Sequence, residues 1–197
     1  MELHSASRTA FGGIWESAVK SVKGHLRKVF GAQSFTYEEL DTVLAKISCA
    51  LNSRPIHPMF NSPDDLDALT PGHFLIGRPM NAVPHPNLLD VKWNRLDRWQ
   101  KVQHATQDFW TRWTQSYVQE LQQRKKWTRM QENLKVGQMV LIHEDNLPPA
   151  KWKLGRVVEV NRGKDDVVRS AFVDTATGQY ERPVVKLTVL SSVTPNQ

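Results

Sequence analysis

"RWQKVQHATQDFWTRW", residues 98–113, lies within a stretch from Asn94 to about Lys126 that neither proline nor glycine interrupts. Leu96, Trp99, Val102, Phe109, Trp110, Trp113, Tyr117 and Leu121 recur there at steps of three and four residues. That period predicts one long helix, roughly 50 Å if unbroken. Its aromatic stripe demands a partner surface. Its other faces carry Arg95, Arg98, Lys101, Arg112, Arg124, Lys125 and Lys126.

On the C-terminal side the pattern changes. "LKVGQMVLIHE", "WKLGRVVEV", "VVRSAFVDT" and "YERPVVKLTVL" are valine-rich runs separated by "NLPPAK", "NRGKDD" and "ATGQ". Short strands with such turns suggest a small antiparallel barrel. On the N-terminal side, Ala18, Val19, Val22, Leu26, Val29 and Phe30 form one apolar stripe of a helix that Gly31 closes. Thr36 followed three residues later by Glu39 predicts a capping box. A second helix follows with Leu40, Val43, Leu44, Ile47 and Leu51, and it ends before Arg54-Pro55. Residues 55–86 hold seven of the eleven prolines and read as a turn-rich wrap. Within it, "LTPGHFLIG" (69–77) offers Thr70 as a cap, Pro71 at the first helical position and Gly77 as a stop.

The chain has 197 residues, 40% hydrophobic and 23% charged, as in a globular protein. No run of eighteen apolar residues and no charged-then-apolar leader is present, so neither a membrane span nor secretion is expected. The lone Cys49 excludes an intramolecular disulfide and points to a reducing compartment. It lies on or beside an apolar stripe with no activating partner, against a nucleophile role. The seven histidines stand at no zinc-like spacing from it; His25, His73 and His104 are read as packed or exposed. Net charge is +6, unevenly spread. Residues 1–91 carry a net of −1, residues 92–133 a net of +5 and residues 134–197 a net of +2. A localised basic stripe makes an anionic partner plausible. Trp99, Trp110 and Trp113 offer rings on which bases can stack, but their helical spacing favours packing. Trp152 reads as an aromatic on the barrel face.

"FGGIWESAVKSVKGHLRKVF", residues 11–30, carries the sharper question. Glu16 is read as opening a helix, with Lys20, Lys23 and Arg27 on its own side at plus four, seven and eleven. A first-turn glutamate paired with Lys20 explains this fully on residue physics. A metal role would need further carboxylates converging on it.

The chain resembles the C-terminal part of the integrase of Pao/BEL-type LTR retrotransposon polyproteins. The likeness runs from about Phe11 to Leu190 through "FGGIWESAVKSVKGHL", "LNSRPIHP", "LTPGHFLIGRP", "RWQKVQHATQDFWTRW", "WKLGRVVEV" and "ERPVVKL". The resemblance implies an α+β chain: a helical remnant of an RNase H-like core (1–80), a linker with a long basic helix (81–133), an SH3-like β-barrel (134–191) and a tail (192–197). It makes Glu16 the third carboxylate of an Asp-Asp-Glu triad, a catalytic and metal-binding position. Magnesium or manganese is implied only for a complete integrase, since no upstream aspartate pair stands in this chain. Lys20, Lys23 and Arg27 on the helix, and Lys151, Lys153, Arg156, Arg162, Lys164 and Arg169 on the barrel, become candidate nucleic-acid contacts. Expected partners are DNA, bound without strong sequence preference, and a second copy of the chain, with no membrane. The implied location is intracellular, and nuclear if the protein functions. The resulting expectation is an integrase fragment that binds nucleic acid and is not catalytic alone. Two alternatives stand beside it: the end of an integrase that performs strand transfer in full-length form, and a non-catalytic oligomerisation module.

Overall fold

The computed structural model describes residues 8–31, 33–60, 62, 65–121, 133–144, 147–163 and 165–190, with only the backbone for residues 8–18. Three helices form its N-terminal half: α1 (Arg8–Phe30), α2 (Tyr37–Asn52) and α4 (Arg98–Leu121), with the short α3 (Pro71–Ile76) between. No helix among the described residues is long and apolar enough to cross a membrane.

α1 begins earlier than the sequence suggests. Gly12 and Gly13 lie inside it, and Glu16 sits more than two turns from its start, not in its first turn. Two glycines cost about 1 kcal/mol each relative to alanine, a load that a 23-residue helix carries.

α2 starts as its capping box requires. The Thr36 hydroxyl accepts from the Glu39 amide at 3.3 Å, and the Glu39 carboxylate accepts from the Thr36 amide at 2.9 Å. α4 uses the same device. Asp97 accepts from the Gln100 amide at 2.7 Å, and the Gln100 side chain accepts from the Asp97 amide at 3.0 Å. A 3-10 turn over Trp93–Arg95 precedes it, so the long helix opens at Arg98 and not at Asn94.

Val102, Ala105, Phe109, Trp110 and Trp113 of α4 form one core with Val29 of α1 and Val43, Ile47 and Ala50 of α2. The aromatic stripe is therefore covered within the chain: Phe109 is 0% exposed, Trp110 3% and Trp113 7%. Trp99 at the N-terminal end is different, half exposed, with the Lys46 ammonium 5.0 Å from its ring centroid.

The proline-rich wrap contains a two-stranded ladder, β1 (His57–Pro58) against β2 (Ala68–Leu69), and then α3. α3 ends as read, with Gly77 in the left-handed region at φ 72°.

The C-terminal half is one five-stranded antiparallel sheet: β3 (Met139–Ile142), β4 (Lys153–Arg162), β5 (Val168–Thr175), β6 (Gly178–Pro183) and β7 (Leu187–Val189). Their order is β6-β5-β4-β3-β7. The sheet is open, which corrects the expected SH3-like barrel. "YERPVVKLTVL" is not one strand. The chain leaves β6 at Pro183, which has no amide hydrogen to give, and turns through a 3-10 segment, Val184–Lys186. It re-enters as a three-residue strand in register with β3, Val140 opposite Val189, and not with β6. Both edges stay unpaired with each other.

The sheet buries two faces around β3. Val140 and Ile142 join Leu134, Val157, Val168, Ala171, Val173 and Leu187 in the sheet's own core. Met139 and Leu141 point the other way, where Leu190 completes a cluster faced by Val118 and Leu121 of α4 and by Leu66 and Ala68 of the wrap. Gly155 is demanded where β4 crosses β5: a Cβ there would lie 2.4 Å from Val173 Cγ1 and 2.7 Å from the Asp174 carbonyl oxygen.

Candidate nucleic-acid interface

The helical period sets Lys20, Lys23 and Arg27 along one strip of α1, opposite the face that carries Val22, Leu26 and Val29 into the core. Lys20 and Arg27 are about 10 Å apart along the axis. All three side chains are exposed, as is Lys28 beside them. Among the described residues no carboxylate pairs with any of these four. Arg27 and Lys28 occupy the last turn, where they also complement the helix dipole. Lys28 was missed by the sequence argument, although the adjacent "RK" pair signals it. The backbone at Glu16 belongs to α1, but its side chain lies outside the described residues. Among the described residues no group of three potential metal ligands converges.

The sheet's cations are placed otherwise. Arg156 is 7% exposed and serves the fold. Its guanidinium donates to the Gly137 carbonyl at 2.8 Å and to the Asp65 carbonyl at 2.9 Å, tying the wrap to the sheet. Lys153 pairs with Glu144 at 2.7 Å and lies 5.0 Å from the Tyr180 ring centroid. Arg162 pairs with Asp166 at 2.8 Å, and Arg169 with Asp165 at 2.9 Å. Lys151 is exposed. Lys164 lies outside the described residues.

The cations of α4 are likewise engaged. Arg98 grips the Glu39 carboxylate with two bonds of 2.6 Å each, joining the N-termini of α4 and α2. The Thr36 amide and this guanidinium hold the Glu39 carboxyl below the ordinary carboxylate range. Arg112 pairs with Asp108 at 2.7 Å. Lys101 stands 5.9 Å from the Trp93 ring centroid. Arg95 is exposed, and Arg124, Lys125 and Lys126 lie outside the described residues.

The histidines and the cysteine have structural surroundings. His25 packs edge-on against Phe109, 6.0 Å between centroids, with Nδ1 buried and without a hydrogen-bond partner among the described residues. Burial, then the charges of Lys28 and Arg112, push its pKa down. His104 is pushed down by burial and meets the Trp93 ring edge at 5.3 Å. His73 caps α3, its Nδ1 accepting from the Thr70 amide at 3.0 Å. Cys49 faces the Asn81 carbonyl at 3.7 Å, and burial raises its thiol pKa, which suppresses the thiolate.

The tryptophans join the two halves. Trp110 and Trp152 meet at 4.9 Å between centroids, and Trp152 also contacts Trp113 at 6.0 Å and Tyr117 at 5.8 Å. The Trp152 indole donates to the Ser53 hydroxyl at 3.0 Å. It therefore packs on the helices instead of standing on an outer sheet face.

Residues 97–190 match the model of a family of unknown function (DUF5641). No curated protein and no solved structure matches the chain. The matched stretch runs from the cap of α4 to the residue after β7, so it takes in both sides of the Trp110–Trp152 contact.

Proposed function

We propose that this chain is an integrase-derived protein that binds the backbone of duplex DNA without strong sequence preference, through the exposed strip of α1. One observation carries this reading: Lys20, Lys23, Arg27 and Lys28 are exposed and free of carboxylate partners among the described residues, whereas four of the five described candidates on the sheet, Lys153, Arg156, Arg162 and Arg169, are already paired or buried. A cation that must first leave an ion pair gains little from a phosphate. An unpaired one on a helix face neutralises phosphate charge directly and releases counterions. The motif order that resembles Pao/BEL integrases supplies the biological setting, retroelement or target DNA in a nucleus. Glu16 stands in line with the strip as the residue that would ligate magnesium or manganese in a complete integrase. Strand transfer belongs to that complete form.

The test is fluorescence anisotropy with a duplex oligonucleotide across a salt series. Affinity falls with salt, and the log–log slope loses about 0.9 for each phosphate contact removed. The Lys20→Glu, Lys23→Glu, Arg27→Glu, Lys28→Glu variant should bind far more weakly with a flatter slope. Unchanged affinity and slope in that variant would remove α1 from the interface.

A further inference from the structure

We propose that the cleft between α4 and the sheet binds a small amphipathic anion, an apolar body bearing one acidic group. The cleft has a volume of about 510 Å³, within the usual range of small-molecule sites. It is lined by Trp110, Thr114 and Val118 of α4 and by Leu147, Trp152 and Val185 on the side of the sheet. The two indoles meet edge to face, 4.9 Å between centroids, and each is fixed by a hydrogen bond, Trp110 to the Leu147 carbonyl at 3.0 Å and Trp152 to the Ser53 hydroxyl at 3.0 Å.

The polar groups of the lining define the ligand. Thr114 keeps Oγ1 out of water without a hydrogen-bond partner among the described residues. Such a group is costly to leave unsatisfied, and a ligand atom that reached it would relieve that cost. Lys151 lines the cleft, is exposed, and has no carboxylate partner among the described residues. Among the described residues the acid in the lining, Glu144, pairs with Lys153 at 2.7 Å. Apolar walls with a cationic lining select an anion attached to a hydrophobic body, and a free inorganic anion would leave the walls unused. This site does not depend on the cations of α1 or on DNA binding.

The experiment uses the full chain and naphthalene-1-sulfonate as probe, read by the indole N–H resonances of Trp110 and Trp152. The sulfonate should shift both signals saturably with one-to-one stoichiometry, and uncharged naphthalene-1-methanol should bind about tenfold more weakly. Lys151→Glu should weaken the sulfonate by a similar factor. Gln115→Trp, which fills the cleft from an exposed wall position, should abolish binding while leaving the urea midpoint in place. Linear, unsaturable shifts, or equal affinity for the two probes, would overturn the proposal. So would undiminished binding in Gln115→Trp.

Discussion

Replacing Arg156 separates a structural cation from a phosphate contact. Its guanidinium makes two short bonds to backbone carbonyls, 2.8 Å to Gly137 and 2.9 Å to Asp65, and a long one of 3.5 Å to Phe60. Hydrogen bonds from a charged donor contribute about 1.5–3 kcal/mol each, so the two short ones together hold roughly 3–6 kcal/mol. Against this stands the desolvation of a guanidinium that is 7% exposed and whose Nε finds no partner among the described residues, a cost of several kcal/mol. Arg156→Met removes both terms. The stem's packing is restored, and a net loss of about 1–3 kcal/mol is expected. Arg156→Lys is the more damaging change. The ammonium keeps the buried charge but lacks the planar fork that reaches carbonyls on two sides, so a loss of about 3–5 kcal/mol is expected. With a urea slope near 2 kcal/mol per molar, that is a midpoint shift of roughly 2 M. If Arg156 instead served DNA from the surface, lysine would be the milder replacement: stability would hold and affinity would fall. Wild-type stability in Arg156→Lys would therefore refute the clasp between wrap and sheet.

Trp152→Ala should decouple the two halves. It loses the contacts with Trp110, Trp113 and Tyr117 and the bond to Ser53, about 3 kcal/mol in all. Amide hydrogen exchange within α4 and β3 should accelerate while the far-ultraviolet circular dichroism persists; unchanged protection of those two elements would argue against the joint. His25 gives a pH signature. Because burial and nearby cations depress its folded pKa, the unfolded chain binds the proton first. Stability is then highest above the unfolded value, about 6.5, and falls as pH drops below it until the folded value is passed. His25→Leu should flatten the decline measured between pH 7.5 and 5 by denaturant titration, and His104→Leu should flatten it further. An unaltered slope in His25→Leu would show that the ring is solvated in the folded chain.

The elements with strong local signals were legible. Thr36 and Glu39, Thr70 with Pro71, and Gly77 each mark a boundary by their own backbone chemistry, and the structure uses them as such. The start of α4 was legible as well, since Asp97 and Gln100 form a second box of the same kind; the aromatic period drew the boundary outward past it. Non-local facts were not legible. Gln107 looks like a solvated residue, yet it is 8% exposed, accepting from the Leu88 amide and donating to the Pro86 carbonyl. Nothing in its own stretch announces the loop that it binds. The break at Pro183 was visible, but the pairing of β7 with β3 depends on a strand about 45 residues earlier.

The candidate interface teaches the same lesson about charge. A net count treats every lysine and arginine alike, whereas availability depends on what each cation already touches. Two pairs were readable in "NRGKDDVVR", where Asp166 stands four residues after Arg162 and Asp165 four before Arg169. Arg98 with Glu39 was not, because 59 residues separate them. Pairing removes these groups from the inventory of phosphate contacts, and burial removes Arg156. In the segment with the largest positive excess, Arg98 and Arg112 are paired and Lys101 stands against the Trp93 ring, which leaves Lys92 and Arg95 of its five described cations. α1 belongs to a stretch of net charge −1, yet among the described side chains no carboxylate pairs with its exposed strip. A phosphate backbone responds to the local field at that strip, so a short helix face in a nominally acidic segment is the stronger candidate.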